Sequence, residues 1–211
     1  MKMAIMNSIS NIDFDGMDLE ALLAYYPRPL HSHSRRVAVC SSIMAEYAET
    51  FMYVNKPFNK TRFAEYMHIG GTCHDIGKLL IPAIPQDDEA YKRHPAMGAE
   101  FLENFKETLF RSEDEVRIVL DMVHYHHEQP CGKGFPNGLH SKDIPLSAGI
   151  CAIADAFDHF LVSNGKYIDN YVEVSSCIID SAEDFFSEIA VICFEQALPR
   201  LVERYELWKT H

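Results

Sequence analysis

Long apolar runs are missing from this chain. No stretch approaches the roughly 20 residues that crossing a bilayer requires. Residues 1–15 hold a single lysine and mix polar with apolar side chains, so they lack the continuous apolar centre of a secretion signal. Together these absences point to a cytoplasmic protein that does not enter a membrane. A basic excess is missing too: 19 Lys and Arg stand against 31 Asp and Glu, a net charge of −12. Surfaces that grip duplex nucleic acid through many phosphates are basic, so that class of partner is excluded, whereas a small anion held by bound metal ions is not. The six cysteines include no C-x-x-C spacing, which argues against a structural zinc or an iron–sulfur cluster. They read as reduced, with Cys40, Cys151 and Cys193 inside apolar periodic segments.

Strand-like alternation is scarce, and helical periodicity takes its place. Val37, Cys40, Met44, Tyr47 and Phe51 recur at steps of three and four. Comparable patterns predict helices over about 17–26, 59–76, 94–109, 113–127, 145–163 and 183–208, so the expected fold is all-α. With 211 residues and 47% hydrophobic content, the chain suits one domain over 1–211 and leaves a second full domain cramped. Breaks fall at Tyr26–Pro29, Lys78–Pro85 and Pro130–Pro145. The last is the longest, and a loop of that length in a compact domain is more often functional than accidental.

Seven residues could carry chemistry. The adjacent pairs His74-Asp75 and His126-His127 stand with His33, His94 and Asp155 in a helical chain, a set large enough for two metal ions. His33 lies four residues before Val37, at the start of an apolar stripe. His74-Asp75 closes the helix from about Phe63, where Gly77 can act as terminator. His126 and His127 follow Val123 by three and four residues, so at least one shares its inward face. Asp155 sits in an otherwise apolar helix, and burying an unpaired carboxylate costs several kcal/mol unless a cation meets it. His31 and His124 each lie two residues from a candidate ligand, a turn of about 200° on a helix, and should face away. Isolated histidines such as His68, His140 and His159 are read as surface or ordinary packing residues.

The ordered series resembles the HD-GYP family of metal-dependent phosphodiesterases. His33-Ser34-Arg35-Arg36-Val37 resembles its H-x-x-R-V, His74-Asp75-Ile76-Gly77-Lys78 its H-D segment, and His94-Pro95-Ala96-Met97-Gly98 its H-P-x-x-G. His126-His127-Glu128 followed by Gly134-Phe135-Pro136 resembles its signature loop, and Asp143-Ile144-Pro145-Leu146-Ser147-Ala148 resembles the lead into its last metal-binding aspartate, here Asp155. The likeness runs from about Ser32 to Asp158, leaving 166–211 as C-terminal helices. It implies an HD-domain helical bundle and a centre of divalent ions, iron or manganese. It also implies hydrolysis of a cyclic dinucleotide such as cyclic di-GMP, with room for a regulatory protein partner.

Carried over by position, His33, His74, Asp75 and Asp155 would hold one ion, and Asp75, His94, His126 and His127 the other, with Asp75 bridging. The implied chemistry is a hydroxide shared by ions roughly 3.5–4 Å apart, attacking phosphorus in line with the leaving oxygen. Lys78 would set its charge against the developing negative charge, so Asp75 and Lys78 are the catalytic candidates.

Four departures are visible. Members with a third ion carry a glutamate where this chain has Pro29, so two ions are expected. Cys131 replaces an aspartate of the signature loop, and Phe135 its tyrosine, which keeps a face for stacking on a base but no hydroxyl. After Asp158 the family's phosphate-binding arginine has no counterpart. Lys166 could supply charge there but not a guanidinium fork. The substrate contacts are therefore expected from Lys78, Phe135 and Lys166. The alternatives are an HD phosphohydrolase for another nucleotide or phosphate ester, and a metal-binding signalling scaffold without turnover.

Overall fold

A computed structural model describes residues 18–48, 60–81, 88–163, 166–167 and 169–210. Among them the elements in chain order are α1 (Leu19–Leu23), α2 (Arg28–Ala45), α3 (Lys60–Cys73), α4 (Asp88–Tyr91), α5 (His94–Asn104), α6 (Lys106–Leu109), α7 (Glu113–Tyr125) and α8 (Leu146–Leu161). A two-residue hairpin, β1 (Val162–Ser163) with β2 (Lys166–Tyr167), follows, and then come α9 (Tyr171–Asp180) and α10 (Glu188–Lys209). The hairpin is antiparallel, with Val162 opposite Tyr167. The all-α expectation holds, with this hairpin as a small addition. The predicted positions of Phe51 and Pro85 lie outside the described residues.

Local chemistry sets several helix starts. The Asp18 carboxylate accepts from the Ala21 amide at 2.8 Å and caps α1. The Ser112 hydroxyl accepts from the Glu115 amide at 3.2 Å and caps α7. Proline occupies the first turn of α2 and of α5, where its missing N–H costs nothing. The predicted 94–109 helix is interrupted at Phe105 and continues as the short α6. Helix α9 falls in the span 166–211 expected to hold C-terminal helices, but periodicity gave it no bounds of its own, because Val172, Val174, Ser175 and Ser176 are weak helix formers. Asn170 caps it, and Ser175 and Ile178 are buried beneath it. The last helix begins at Glu188 and not near 183, where Glu183 takes a positive φ of 66° in a turn.

Two apolar clusters hold the bundle. The larger gathers Val37, Met44, Met67, Met122, Ile150, Phe157, Phe194 and Tyr205 from α2, α3, α7, α8 and α10. The smaller gathers Leu22, Tyr26, Cys73, Ile76, Leu102, Val119 and Val123. Helices α3 and α7 contribute to both, so their C-terminal ends are pinned on two sides. Close approach is made possible by Gly71, where a Cβ would stand 2.6 Å from the Ala38 Cα. Gly77 has a related role rather than the terminating one expected from sequence. It lies in a 3-10 turn, Ile76–Leu79, without a left-handed φ, and a Cβ there would meet the His94 carbonyl oxygen at 1.8 Å.

Candidate metal centre

Five elements deliver the seven candidate ligands to one place. His33 comes from the second turn of α2 and Asp155 from the middle of α8. His74 and Asp75 follow the end of α3, just past the helix they were expected to close, and His94 opens α5. His126 caps α7 and His127 lies one residue beyond it. Six of the seven are buried, with His127 half-buried. Asp75 stands at the middle. Its Oδ2 lies 3.4 Å from His74 Nε2 and 3.8 Å from His33 Nε2, while its Oδ1 lies 3.2 Å from His94 Nε2 and 3.8 Å from His126 Nε2. Asp155 Oδ1 is 3.0 Å from His33 Nε2 and 3.8 Å from His74 Nε2.

The outer ring nitrogens are occupied, which decides what the inner ones can be. The Nδ1 of His74 pairs with the Gly71 carbonyl at 2.7 Å, that of His94 with Tyr91 O at 2.8 Å, and that of His126 with Val123 O at 3.0 Å. A carbonyl only accepts, so each Nδ1 carries the proton and each Nε2 presents a lone pair inward. His94 Nε2 and His126 Nε2 then face each other at 3.4 Å with no proton between them. Among the described residues, His74 Nε2, Asp75 Oδ1 and His127 Nε2 are buried without a hydrogen-bond partner, and His33 Nε2 and Asp155 Oδ1 face each other beside them. At about 1–3 kcal/mol for each unmet buried group, this convergence of acceptors calls for cations. Imidazole with carboxylate suits borderline divalent metals, so the residues fit the implied centre.

The electrostatics agree. Burial by itself would raise the Asp75 carboxyl, but His74, His94 and Lys78 hold it well below the usual range. Asp155 is likewise held down by His33 and His74 against the effect of burial. Burial lowers His127 to about 4 and pushes His126 well below its ordinary value, aided there by the neighbouring His127 and His74 rings. Both rings are therefore neutral at physiological pH, the state in which imidazole binds metal. His33 goes the other way. Burial opposes its proton, yet Asp155 and Asp158 raise it to about 9. A field that draws a proton to His33 Nε2 draws a metal cation more strongly.

Lys78 Nζ donates to Asp75 Oδ2 at 2.5 Å and lies 5.4 Å from the Tyr91 ring centre. Asp75 keeps it charged despite burial. The Phe135 ring packs on His127, with centroids 4.6 Å apart, and approaches His94 at 6.4 Å, so it walls the centre. The loop that presents it is ordered. Glu128 is buried, and its carboxylate accepts from the Asn137 and Leu139 amides at 2.6 and 2.8 Å, while the Phe135 amide donates to His127 O. The backbone of Lys166 pairs with Ser163 in the hairpin, and its side chain lies outside the described residues. His31 lines a separate cleft with Arg35 and His68, as the helical turn from His33 requires.

Two contributors escape a reading by residue type. Asp158, three residues after Asp155, is buried and receives His33 Nδ1 at 2.7 Å, Arg36 Nε at 2.6 Å and Nη2 at 2.9 Å, and the Tyr205 hydroxyl at 2.6 Å. It fixes the His33 ring as the backbone carbonyls fix the other three. Its three-residue spacing from Asp155 on a helix was the available signal. His159 is exposed, as expected of an isolated histidine, but its ring lies 4.6 Å from the His33 ring and its Nδ1 is 3.9 Å from Asp155 Oδ1. It therefore stands at the rim of the centre.

The HD domain family model matches residues 30–159, the span that contains every candidate ligand. The chain belongs to the HD domain family. Within this HD domain, the loop carrying His126-His127-Glu128 and Gly134-Phe135-Pro136 resembles that of the HD-GYP type. A Thermotoga maritima protein named cyclic di-GMP phosphodiesterase is 28% identical over 199 residues, covering 89% of this chain and 46% of that protein. A Vibrio cholerae protein of the same name is 28% identical over 188 residues, covering 84% of this chain and 38% of the relative. Another from Vibrio cholerae, named 3′3′-cGAMP-specific phosphodiesterase 2, is 35% identical over 104 residues, covering 45% of this chain and 19% of the relative. The HD chain thus spans less than half the length of these relatives. Among the described residues, no helix is long and apolar enough to cross a membrane.

Proposed function

We propose that this HD domain is a metal-dependent phosphodiesterase that opens a cyclic dinucleotide, with cyclic di-GMP as the first candidate. The observation that carries the reading is the convergence of buried Nε2 atoms and carboxylate oxygens beside a charged lysine. His33, His74, Asp75 and Asp155 would hold one ion, and Asp75, His94, His126 and His127 a second, with the two Asp75 oxygens turned toward the two groups. Two ions of iron or manganese match this mixture of imidazole and carboxylate. When bound, such ions supply Lewis acidity at the phosphate and a strong nucleophile from water at neutral pH.

The chain's own residues do the rest. Lys78 sets its ammonium where the non-bridging phosphate oxygens gather charge, so the interaction strengthens as the transition state forms. Asp75 aims Lys78 and holds the metal positions in register. Phe135 closes the centre on the His127 side, excluding water and offering an apolar edge to a base. Lys166 is a further substrate contact. Residues 1–211 act as one domain, and six free cysteines suit the reducing cytoplasm in which we place it. A regulatory protein partner belongs to the same proposal.

The relatives named for 3′3′-cGAMP favour a second reading of the same site, in which the purine pair differs and the phosphate chemistry is shared. The test is a hydrolysis panel with manganese-loaded protein, and with ferrous protein handled without oxygen. The panel contains cyclic di-GMP, 3′3′-cGAMP, their linear dinucleotides and simple nucleotide monoesters. Conversion of a cyclic dinucleotide to its linear form, abolished by a chelator, is the expected result. Efficient cleavage of monoesters with the cyclic compounds untouched would move the protein to another phosphohydrolase class. Binding without turnover would make it a scaffold.

A further inference from the structure

No arginine closely follows Asp158 in the sequence, but two guanidinium groups from α2 line a cleft beside His33. Beside His33 opens a cleft of about 630 Å³ lined by Arg28, Ser32, Arg36, Asp158, His159 and Tyr167, within the roughly 300–1,000 Å³ of small-molecule sites. It shares His33 with the candidate metal centre, and His159 stands between the two. Its one acidic group, Asp158, is already engaged by Arg36, His33 and Tyr205, so it leaves little uncompensated negative charge facing the cleft. Arg28 is different. It is exposed and makes no ion pair or side-chain hydrogen bond with any described residue. It also occupies the first position of an 18-residue helix, where the dipole adds positive potential. Tyr167 supplies an aromatic ring, with the Arg36 guanidinium 5.9 Å from its centre.

A cyclic dinucleotide carries two phosphates on opposite sides of one macrocycle, so the one that is not cleaved must rest beside the metal centre. We propose that this phosphate binds in the cleft next to His33 and that Arg28 is its principal contact, a specificity-determining residue brought from the start of α2 in place of one following α8. Its planar fork can take two phosphate oxygens at once, which a lysine cannot. Tyr167 offers a face for the adjoining base. The inference rests on the reading of the centre as a cyclic-dinucleotide phosphodiesterase, and it adds which residue selects the two-phosphate ligand.

The experiment is equilibrium binding of cyclic di-GMP to the manganese-loaded full chain by calorimetry, for the parent, Arg28→Ala, Arg28→Lys and Arg117→Ala. Arg117 is an exposed arginine on α7, remote from the cleft and paired with Asp114, and serves as control. Metal content checks that each variant is intact. Arg28→Ala should weaken binding roughly 10–100-fold, the scale of a lost charge-assisted contact. Arg28→Lys should recover part of that and Arg117→Ala should match the parent. If cyclic di-GMP is turned over, KM should rise by a larger factor than kcat falls. Binding is read whether or not the ligand is cleaved, so tight binding without hydrolysis would count against the catalytic reading while leaving the Arg28 comparison standing. Equal affinity of parent and Arg28→Ala, including binding too weak to measure in both, overturns the assignment.

Discussion

Replacing Asp158 by asparagine changes one atom and removes one charge, yet the structure assigns it a large effect. Four donor contacts converge on the two carboxylate oxygens: Arg36 Nε and the Tyr205 hydroxyl on Oδ1, His33 Nδ1 and Arg36 Nη2 on Oδ2. Asparagine keeps one accepting oxygen, so in either orientation its amide nitrogen confronts two of the four donors. At about 1–3 kcal/mol per buried donor left unmet, the cost is roughly 2–6 kcal/mol. That corresponds to about 5–20 °C in Tm for a chain of this size. One relaxation is open. His33 can move its proton to Nε2 and accept from the amide, but the nitrogen that should face metal then carries hydrogen. Metal affinity at the His33 position should therefore fall by about 10–100-fold, the usual effect of losing a partner that orients a ligand. The site formed by His94, His126 and His127 should hold its ion. Thermal unfolding with and without manganese, joined to a metal titration, measures both quantities. An Asp158→Asn protein that binds both ions as the parent does and unfolds within about 1 °C of it would refute the argument.

Other outcomes follow from the same geometry. Asp75→Ala should empty both ion positions, because its two oxygens face different histidine groups; elemental analysis showing full occupancy would contradict the bridging role. Lys78→Ala should reduce turnover about 10²–10³-fold while metal content stays near that of the parent, and near-normal turnover would leave Lys78 as a mere partner of Asp75. In chelator-treated protein, His33 has a folded pKa of about 9, above its ordinary 6.5, because Asp155 and Asp158 outweigh burial. The stability this contributes is complete below about pH 6.5 and is lost as pH rises through about 9. Denaturant midpoints should therefore fall over that window in the parent by more than in His33→Ala. Identical slopes would show that His33 does not hold the extra proton.

Patterns of residue type and spacing were enough to identify the helical class, the HD-GYP-type motifs and the seven candidate ligands. Each ligand is tied to a local feature visible in one dimension: a pair beside a helix end, a histidine before proline at a helix start, a carboxylate in an apolar stripe. Periodicity located α2, α7 and α8 because their apolar faces are broad, and it missed α9, whose Ser and Val content favours no helix until Ile178 is packed. What only the tertiary structure decided lies between elements. Asp158 and Tyr205 meet across 47 positions of sequence to steady His33. Gly77 is needed for its approach to His94, not for a turn of its own. Arg28 lines one cleft with Asp158, His159 and Tyr167 because α2 packs along α8, and no pattern within either helix encodes that meeting. Local spacing can specify which atoms a segment offers. Which atoms end up sharing a cation or a phosphate depends on where the packed helices cross.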